Sequence, residues 1–406
     1  MISESELERI RSDFPILKNG VGGKPIIYFD SGCVSLRPRQ VMHAMNEYYE
    51  EYPACAGRSI HKLGKKVSDK LAEARRTFAK FLGARKAEEV IFTRNTTEGI
   101  NLVAHSLKFS KGDVVITSDR EHNSNLLPWQ LLSKRSGVEH KIVYSTDNME
   151  FDLEKFKEMM NDNVKLVSLV HSSNLDGYTL PAAEIVKIAH ENGSLVMLDG
   201  AQSAPHRQVD VRKLDVDFFA LSGHKMLGPA GTGVLYGKCE LLEEMEPFML
   251  GGDTVQNSTY NSYVLLKPPE KFEAGLQNYA GSIGLAEAAR YIEKVGKEKI
   301  EKHEHELNKL ISERLLKIKS ASIIGPKQVE LRSGVVSFNI EGMNFHDVAV
   351  MLDENNIMVR SGQHCVHSWF NAHNIPGCVR ASLYLYNTID EAGKFLDVLA
   401  GIARLR

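Results

Sequence analysis

Five short apolar runs each end in a cluster of polar residues, and this repeat sets what the chain can fold into. Val90-Ile91-Phe92 precedes Thr93-Arg94-Asn95-Thr96-Thr97, and Val114-Val115-Ile116 precedes Thr117-Ser118-Asp119. Residues 164–170 lead into His171-Ser172-Ser173-Asn174, Leu195-Val196-Met197-Leu198 into Asp199, and Phe218-Phe219-Ala220-Leu221 into Ser222-Gly223-His224-Lys225. Runs apolar on both faces suit strands of a mostly parallel sheet covered by helices. Helical patterns separate them: Val67, Leu71, Ala74, Phe78 and Phe81 share one face before Gly83, and residues 185–190 continue another helix before Gly193. Strands alternating with helices predict an α/β architecture, whose ligands sit beyond the carboxyl ends of the strands. The polar clusters fall there.

The pattern breaks from Gly251 to Gly275 into a loop rich in Asn, Ser, Thr, Tyr and Pro. One long charged helix, roughly 285–319, is expected next, leading to a second unit. There Val335-Val336-Ser337-Phe338-Asn339-Ile340 reads as a strand, residues 345–355 as a helix, and Ile357-Met358-Val359 as a short strand running toward Cys365.

With 406 residues, one large and one smaller domain fit the chain. Lys plus Arg number 50 against 52 Asp plus Glu, so no basic field argues for a nucleic-acid partner. The N-terminus is charged from Glu4 on, without a signal-peptide core, and no apolar run is long enough to span a bilayer. A cytoplasmic protein with no membrane partner is the expectation. The five cysteines (Cys33, Cys55, Cys239, Cys365, Cys378) are scattered and odd in number, which argues against a disulfide framework.

Lys225 lies in an apolar, glycine-rich turn, Leu221-Ser222-Gly223-His224-Lys225-Met226-Leu227-Gly228-Pro229, and Asp199 ends the run before it. Most lysines are solvated surface groups, and Asp-Gly after a strand is often a helix N-cap. Together, however, the two meet the needs of a pyridoxal phosphate (PLP) site. There a lysine amine joins the aldehyde as a Schiff base and a carboxylate pairs with the ring nitrogen. Burial would supply the free amine that an ordinary lysine lacks at neutral pH. Thr96 and Thr97 start a helix after a strand, where backbone N–H groups gather an anion; a simple capping motif is the plain alternative. Ser222 and His224 could add phosphate contacts. His122 follows another strand and could stack on the ring and move protons. Asn174 holds the matching position on the next strand. Cys365, in Arg360-Ser361-Gly362-Gln363-His364-Cys365, has three readings: a buried small side chain, a metal ligand with His364 and His367, or a nucleophilic thiolate beside positive groups. Arg380 could grip a carboxylate with its fork, or form an ordinary ion pair.

These residues together resemble the class V, fold-type I PLP enzymes, and more narrowly the Suf-type cysteine desulfurases and selenocysteine lyases. The likeness covers Phe29-Asp30-Ser31-Gly32, residues 94–101, Glu121-His122, residues 198–203, residues 222–229, Phe272-Glu273-Ala274-Gly275, residues 359–365, Arg380-Ala381-Ser382 and Tyr386-Asn387-Thr388. It implies an N-terminal segment (1–25) packed with a small domain, a large PLP-binding domain (26–284), and a small α+β C-terminal domain (285–406) carrying the cysteine loop. It implies a homodimer that converts L-cysteine to L-alanine and passes sulfur to an acceptor or scaffold protein of iron–sulfur assembly. By position Lys225 would hold the cofactor covalently, Asp199 would pair with the ring nitrogen, His122 would be the stacking acid/base, and Gln202 would contact the ring oxygen. Thr96, Thr97, Ser222 and His224 would hold the phosphate. Asn174, Arg360 and Arg380 would surround the substrate carboxylate, and Cys365 would carry the persulfide. No metal is expected. A selenocysteine lyase, a class V aminotransferase with an incidental Cys365, and a sulfur-transfer scaffold are the alternatives. The chain departs from the pattern at Leu276 (usually Thr), Gly57 (His), Gln363 (often His) and at the charged Leu175-Asp176-Gly177 after Asn174.

Overall fold

The computed structural model describes residues 1–405. Its main sheet has seven strands: β1 (Val90–Thr93), β2 (Val114–Ser118), β3 (Glu139–Val143), β4 (Val164–Val170), β5 (Leu195–Asp199), β6 (Phe218–Ser222) and β7 (Gly233–Gly237). Their order is β1-β7-β6-β5-β4-β2-β3. β7 runs antiparallel to both neighbours, and the remaining pairings are parallel.

Alternation along these strands feeds two cores, because successive side chains point to opposite faces. Val114, Ile116, Val167, Leu169, Val196, Leu198, Phe219 and Leu221 pack on one face with Phe78, Ile185, Ala189, Leu285 and Ile292 from helices Lys62–Leu82, Ala182–Glu191 and Tyr279–Val295. Ile91, Val115, Leu166, Met197, Phe218, Ala220 and Leu235 face the other way, against Ile100 and Val103 of helix Thr96–Ser106 and Trp129 of helix Asn123–Ser136. All five expected runs are strands of this sheet. The polar residues after them lie along one edge of it, as the α/β reading requires.

The single long helix expected over 285–319 is two helices, Tyr279–Val295 and Lys297–Leu315. Gly296, at φ +97°, separates them in a conformation that side chains disfavour. The loop after Gly251 contains a small hairpin of Val255–Ser258 and Tyr263–Leu265. Beyond the second helix a four-stranded antiparallel sheet is ordered Ala321–Ile324, Val335–Ile340, Cys378–Ser382, Arg360–Gly362. Helices Lys297–Leu315, Phe345–Asp353 and Ile389–Ile402 bury Leu307, Ile311, Leu352, Phe395 and Leu399 against it. Ile27–Tyr28 pairs in parallel with Ile357–Met358, so the chain just after the N-terminal segment is stitched to the C-terminal part. In the N-terminal segment itself, Arg11 donates to the Tyr386 carbonyl and pairs with Glu391 at 2.8 Å, while Phe14 packs on Tyr291 and Tyr386. Among the described residues no helix is long and apolar enough to cross a membrane.

Candidate active site

The carboxyl edge of the main sheet and the loop after Arg360–Gly362 enclose a cavity of about 220 Å³. All twelve residues singled out from the sequence line it: Thr96, Thr97, His122, Asn174, Asp199, Gln202, Ser222, His224, Lys225, Arg360, Cys365 and Arg380. A larger cavity, about 520 Å³, shares Gln202 but is walled mainly by charged groups of helix Lys297–Leu315 and the 330–334 turn, away from Lys225.

Lys225 ends a single 3-10 turn that follows β6. The turn closes through Gly228 N–H to Gly223 O (2.9 Å) and Gly223 N–H to Thr232 O (2.8 Å). Gly223 is dictated by space, since a Cβ there would stand 2.2 Å from Thr232 Oγ1. Burial pushes the Lys225 ammonium below its usual range, opposed by Asp199. Asp199 closes β5 and is 3% exposed; its Oδ1 accepts the Ala201 N–H at 2.9 Å. Burial raises its carboxyl and Lys225 pulls it back down.

The N-terminus of helix Thr96–Ser106 is capped by Asn95, whose side chain accepts Glu98 N–H at 3.0 Å. Thr96 donates its N–H to Ser222 Oγ at 2.9 Å, and the two hydroxyls lie 2.8 Å apart. Thr97 Oγ1 meets Ser124 Oγ at 2.7 Å. Hydroxyls from β6 and from two helix starts thus line one cavity at the positive end of helix Thr96–Ser106, an anion cradle. His224 stands beside it, its imidazole held neutral by burial, Lys225 and Arg37, with a pKa of about 4.

His122 caps helix Asn123–Ser136, its Nδ1 accepting the Ser124 N–H at 3.1 Å. That bond places the proton of the neutral ring on Nε2. Burial, then Lys225 and Arg380, lowers its pKa to about 3.

Arg380 is 2% exposed; its Nη1 donates to Asn174 O at 3.0 Å, and its Nε is buried without a partner. Asn174 donates to His364 O at 2.8 Å and leaves Oδ1 unpaired, and Gln202 donates to Gly32 O at 2.7 Å and leaves Oε1 unpaired. Arg360 grips Asp30 in a fork, Nη2 to Oδ2 at 2.8 Å and Nε to Oδ1 at 3.0 Å. Its charge is therefore shared with Asp30 rather than left free beside Cys365.

Cys365 is exposed, and with His364 it adopts left-handed φ values of +59° and +47°. Asn123 N–H clamps the Cys365 carbonyl at 2.8 Å. His364 turns away from the thiol, placing Nε2 3.2 Å from Cys378 Sγ. Among the described residues, no group of three or more His, Cys, Asp or Glu could hold a metal ion.

Sequence reasoning did not single out Cys33, Ser124 or Asp30 individually. Asp30 lies within the Phe29-Asp30-Ser31-Gly32 stretch, a usable signal. Cys33 and Ser124 carried none beyond their neighbours.

The donor set fits PLP. A hydroxyl-rich helix N-terminus suits a phosphate, a buried carboxylate lies near a lysine with a weakened ammonium, and three buried polar atoms (Gln202 Oε1, Asn174 Oδ1, Arg380 Nε) await partners.

The sequence matches the family Aminotransferase class-V over residues 27–395. A probable cysteine desulfurase of Staphylococcus aureus is 39% identical over 97% of this chain and 96% of its own. A cysteine desulfurase of Haloferax volcanii is 38% identical over 97% and 96%. The structure superposes on the apo cysteine desulfurase of Thermococcus onnurineus with a TM-score of 0.94 and 40% identity, covering 98% of each chain. It superposes on the S-sulfonic acid form of the Escherichia coli cysteine desulfurase CsdA with a TM-score of 0.91 and 30% identity, again covering 98% of each. The chain belongs to the class V aminotransferase family and, within it, to the PLP-dependent cysteine desulfurases.

Proposed function

We propose that this enzyme converts L-cysteine to L-alanine, receives the sulfur on Cys365 as a persulfide, and supplies it to an acceptor protein for iron–sulfur cluster assembly. The observation that carries the reading is that Cys365 and Lys225 border one cavity.

PLP, when bound, supplies an electron sink that makes the substrate α-proton and C–S bond labile. Thr96, Thr97, Ser222 and His224 would hold its phosphate, Asp199 its ring nitrogen and Gln202 its ring oxygen. The chain's own residues supply the rest. Arg380, held by Asn174, offers its buried guanidinium to the substrate carboxylate. Asn174 keeps a free Oδ1 as an acceptor beside that site, and Arg360, its charge answered by Asp30, lines the same wall. Lys225, its ammonium weakened by burial, takes the α-proton and later returns one. His122 remains neutral across the working pH and presents Nε2–H. The Cys365 thiolate attacks the substrate sulfur; an S–S bond forms, the C–S bond breaks, and its electron pair stays with carbon, which is protonated to give alanine. One cysteine and one thiol become one alanine and one persulfide, with no outside oxidant.

The same reading divides the chain at 25/26 and 284/285 and makes it a cytoplasmic homodimer. Support for dimerisation comes from exposed apolar residues on adjoining segments: Ile60, Tyr260, Tyr263, Val264 and Leu276. Arg58 lies against Val255 O and Asp253, and Gly275 N–H bonds Gly252 O, which ties these segments together. The functional test is Cys365→Ala incubated with cysteine. The variant should keep the visible absorbance of bound PLP and form no alanine above background. Turnover at the unmodified rate would reject the role of Cys365.

A further inference from the structure

Cys365 is not the only thiol on the active-site cavity, because Cys33 lines the same 220 Å³ space. The other three cysteines do not line it: Cys378 is buried, its thiol pushed up to about 12 by burial, and Cys55 and Cys239 are elsewhere. A cavity this small, below the ~300–1,000 Å³ usual for ligand sites, leaves two thiol-bearing walls within reach of one bound molecule.

The two thiols differ in how they are mounted. Cys33 sits on a wall fastened on both sides. Gly32 N–H donates to Ser382 Oγ (2.8 Å) and Gly32 O accepts from Gln202 (2.7 Å). Ser35 N–H reaches His224 O (2.8 Å), and Ser35 Oγ accepts Leu227 N–H (2.8 Å) from the Lys225 turn. Cys365 projects from a loop of left-handed residues and is exposed, whereas Cys33 is half-buried. Lys225, Arg360 and Arg380 each interact electrostatically with Cys33, and Lys225 also with Cys365. The buried Nε of Arg380 on the same cavity has no partner within the chain once the substrate carboxylate has left.

We infer that Cys33 is a second sulfur-carrying residue, which takes the outer sulfur of the Cys365 persulfide and shelters it inside the cavity. The step is thiol–persulfide exchange. The Cys33 thiolate attacks the outer sulfur, a new S–S bond forms at Cys33, and the bond to Cys365 Sγ breaks with its electron pair leaving as the Cys365 thiolate. The count of sulfane sulfur and of electrons is unchanged, so no oxidant or reductant enters. Cys365 is then free to accept sulfur from a second cysteine before any acceptor arrives, and each subunit stores two sulfurs. This rests on the Cys365 reading above.

The test uses holoenzyme with excess L-cysteine and neither reductant nor acceptor, followed by alkylation, alanine counting and peptide mass spectrometry. The expected burst is about two alanines per subunit, with one added sulfur on the Cys33 peptide and one on the Cys365 peptide. Cys33→Ser and Cys33→Ala should each halve the burst to one, with PLP absorbance showing that the site is intact. A wild-type burst of one with an unmodified Cys33 peptide overturns the inference. So does a burst of two with both sulfurs on Cys365, or a disulfide joining the two peptides with release of sulfide. Alanine formed by Cys365→Ser at the wild-type level would instead overturn the Cys365 reading on which this one stands.

Discussion

Asp176 shows why a residue that departs from a family pattern can still be essential. It is 0% exposed and bonds Arg120, itself 1% exposed, at 2.8 Å. Arg120 also donates to Met149 O at 2.9 Å and lies over the Tyr178 ring, so the pair is fully absorbed into the packing beside Asn174. Breaking a buried pair leaves an uncompensated charge, and Asp176→Ala should cost about 3–5 kcal/mol of stability in denaturant unfolding. His122 supports a different residue-level prediction. With a pKa of about 3 it carries no charge between pH 5 and 9. The acidic limb of kcat/KM in that range should therefore persist in His122→Gln, while the rate falls about 10²–10⁴-fold, the usual contribution of acid–base groups. A limb that vanished with the histidine would assign the titration to it.

At the scale of elements, the turn after β6 leaves no room for change. Gly223→Ala would drive a methyl into Thr232 Oγ1 and displace the turn that carries Lys225. A stability loss of about 1–3 kcal/mol is expected from overpacking, together with loss of the PLP absorbance. A variant that bound PLP normally would show that the turn tolerates the shift. The sheet was legible wherever a strand is buried on both faces and ends in functional groups. Two strands gave no such signal. β3, Glu-His-Lys-Ile-Val, is a half-exposed edge, and β7 is an antiparallel strand bracketed by Gly233 and Gly237 with no site residue at its end. The break at Gly296 was hidden because charged residues continue on both sides of it, so composition alone reads as one helix. The residues that line the cavity were legible because each follows a strand or carries unusual chemistry. Arg360 was found, but its commitment to Asp30 depends on residues 330 positions apart, which no local pattern reports. Cys33 was passed over because a scattered cysteine with no partner cysteine nearby in the sequence reads as a small packed side chain.

Over the whole molecule, six histidines are held below their usual value: His122 and His171 at about 3, His224 at about 4, His364 at about 2, and His140 and His303 lowered as well. Burial is the leading cause in each. Unfolding restores each to about 6.5. Below that value the unfolded rings bind protons that the native ones do not, an effect that buried Glu121, pushed up to about 7, offsets only in part, so stability falls as pH drops from about 6.5 toward the native values. Unfolding free energy measured on the apoprotein should decline steadily from pH 6.5 to 5, and His364→Asn should make that slope shallower. An equal slope in the variant would remove His364 from the set.

The whole reaction depends on where the cofactor is joined to the chain, and this can be measured directly. Freshly purified holoenzyme would be reduced with borohydride, digested and mapped by mass spectrometry. The pyridoxyl group is expected on Lys225, in the peptide containing Ser222-Gly223-His224. Modification of a different lysine, or of none in protein that still makes alanine from cysteine, would contradict it.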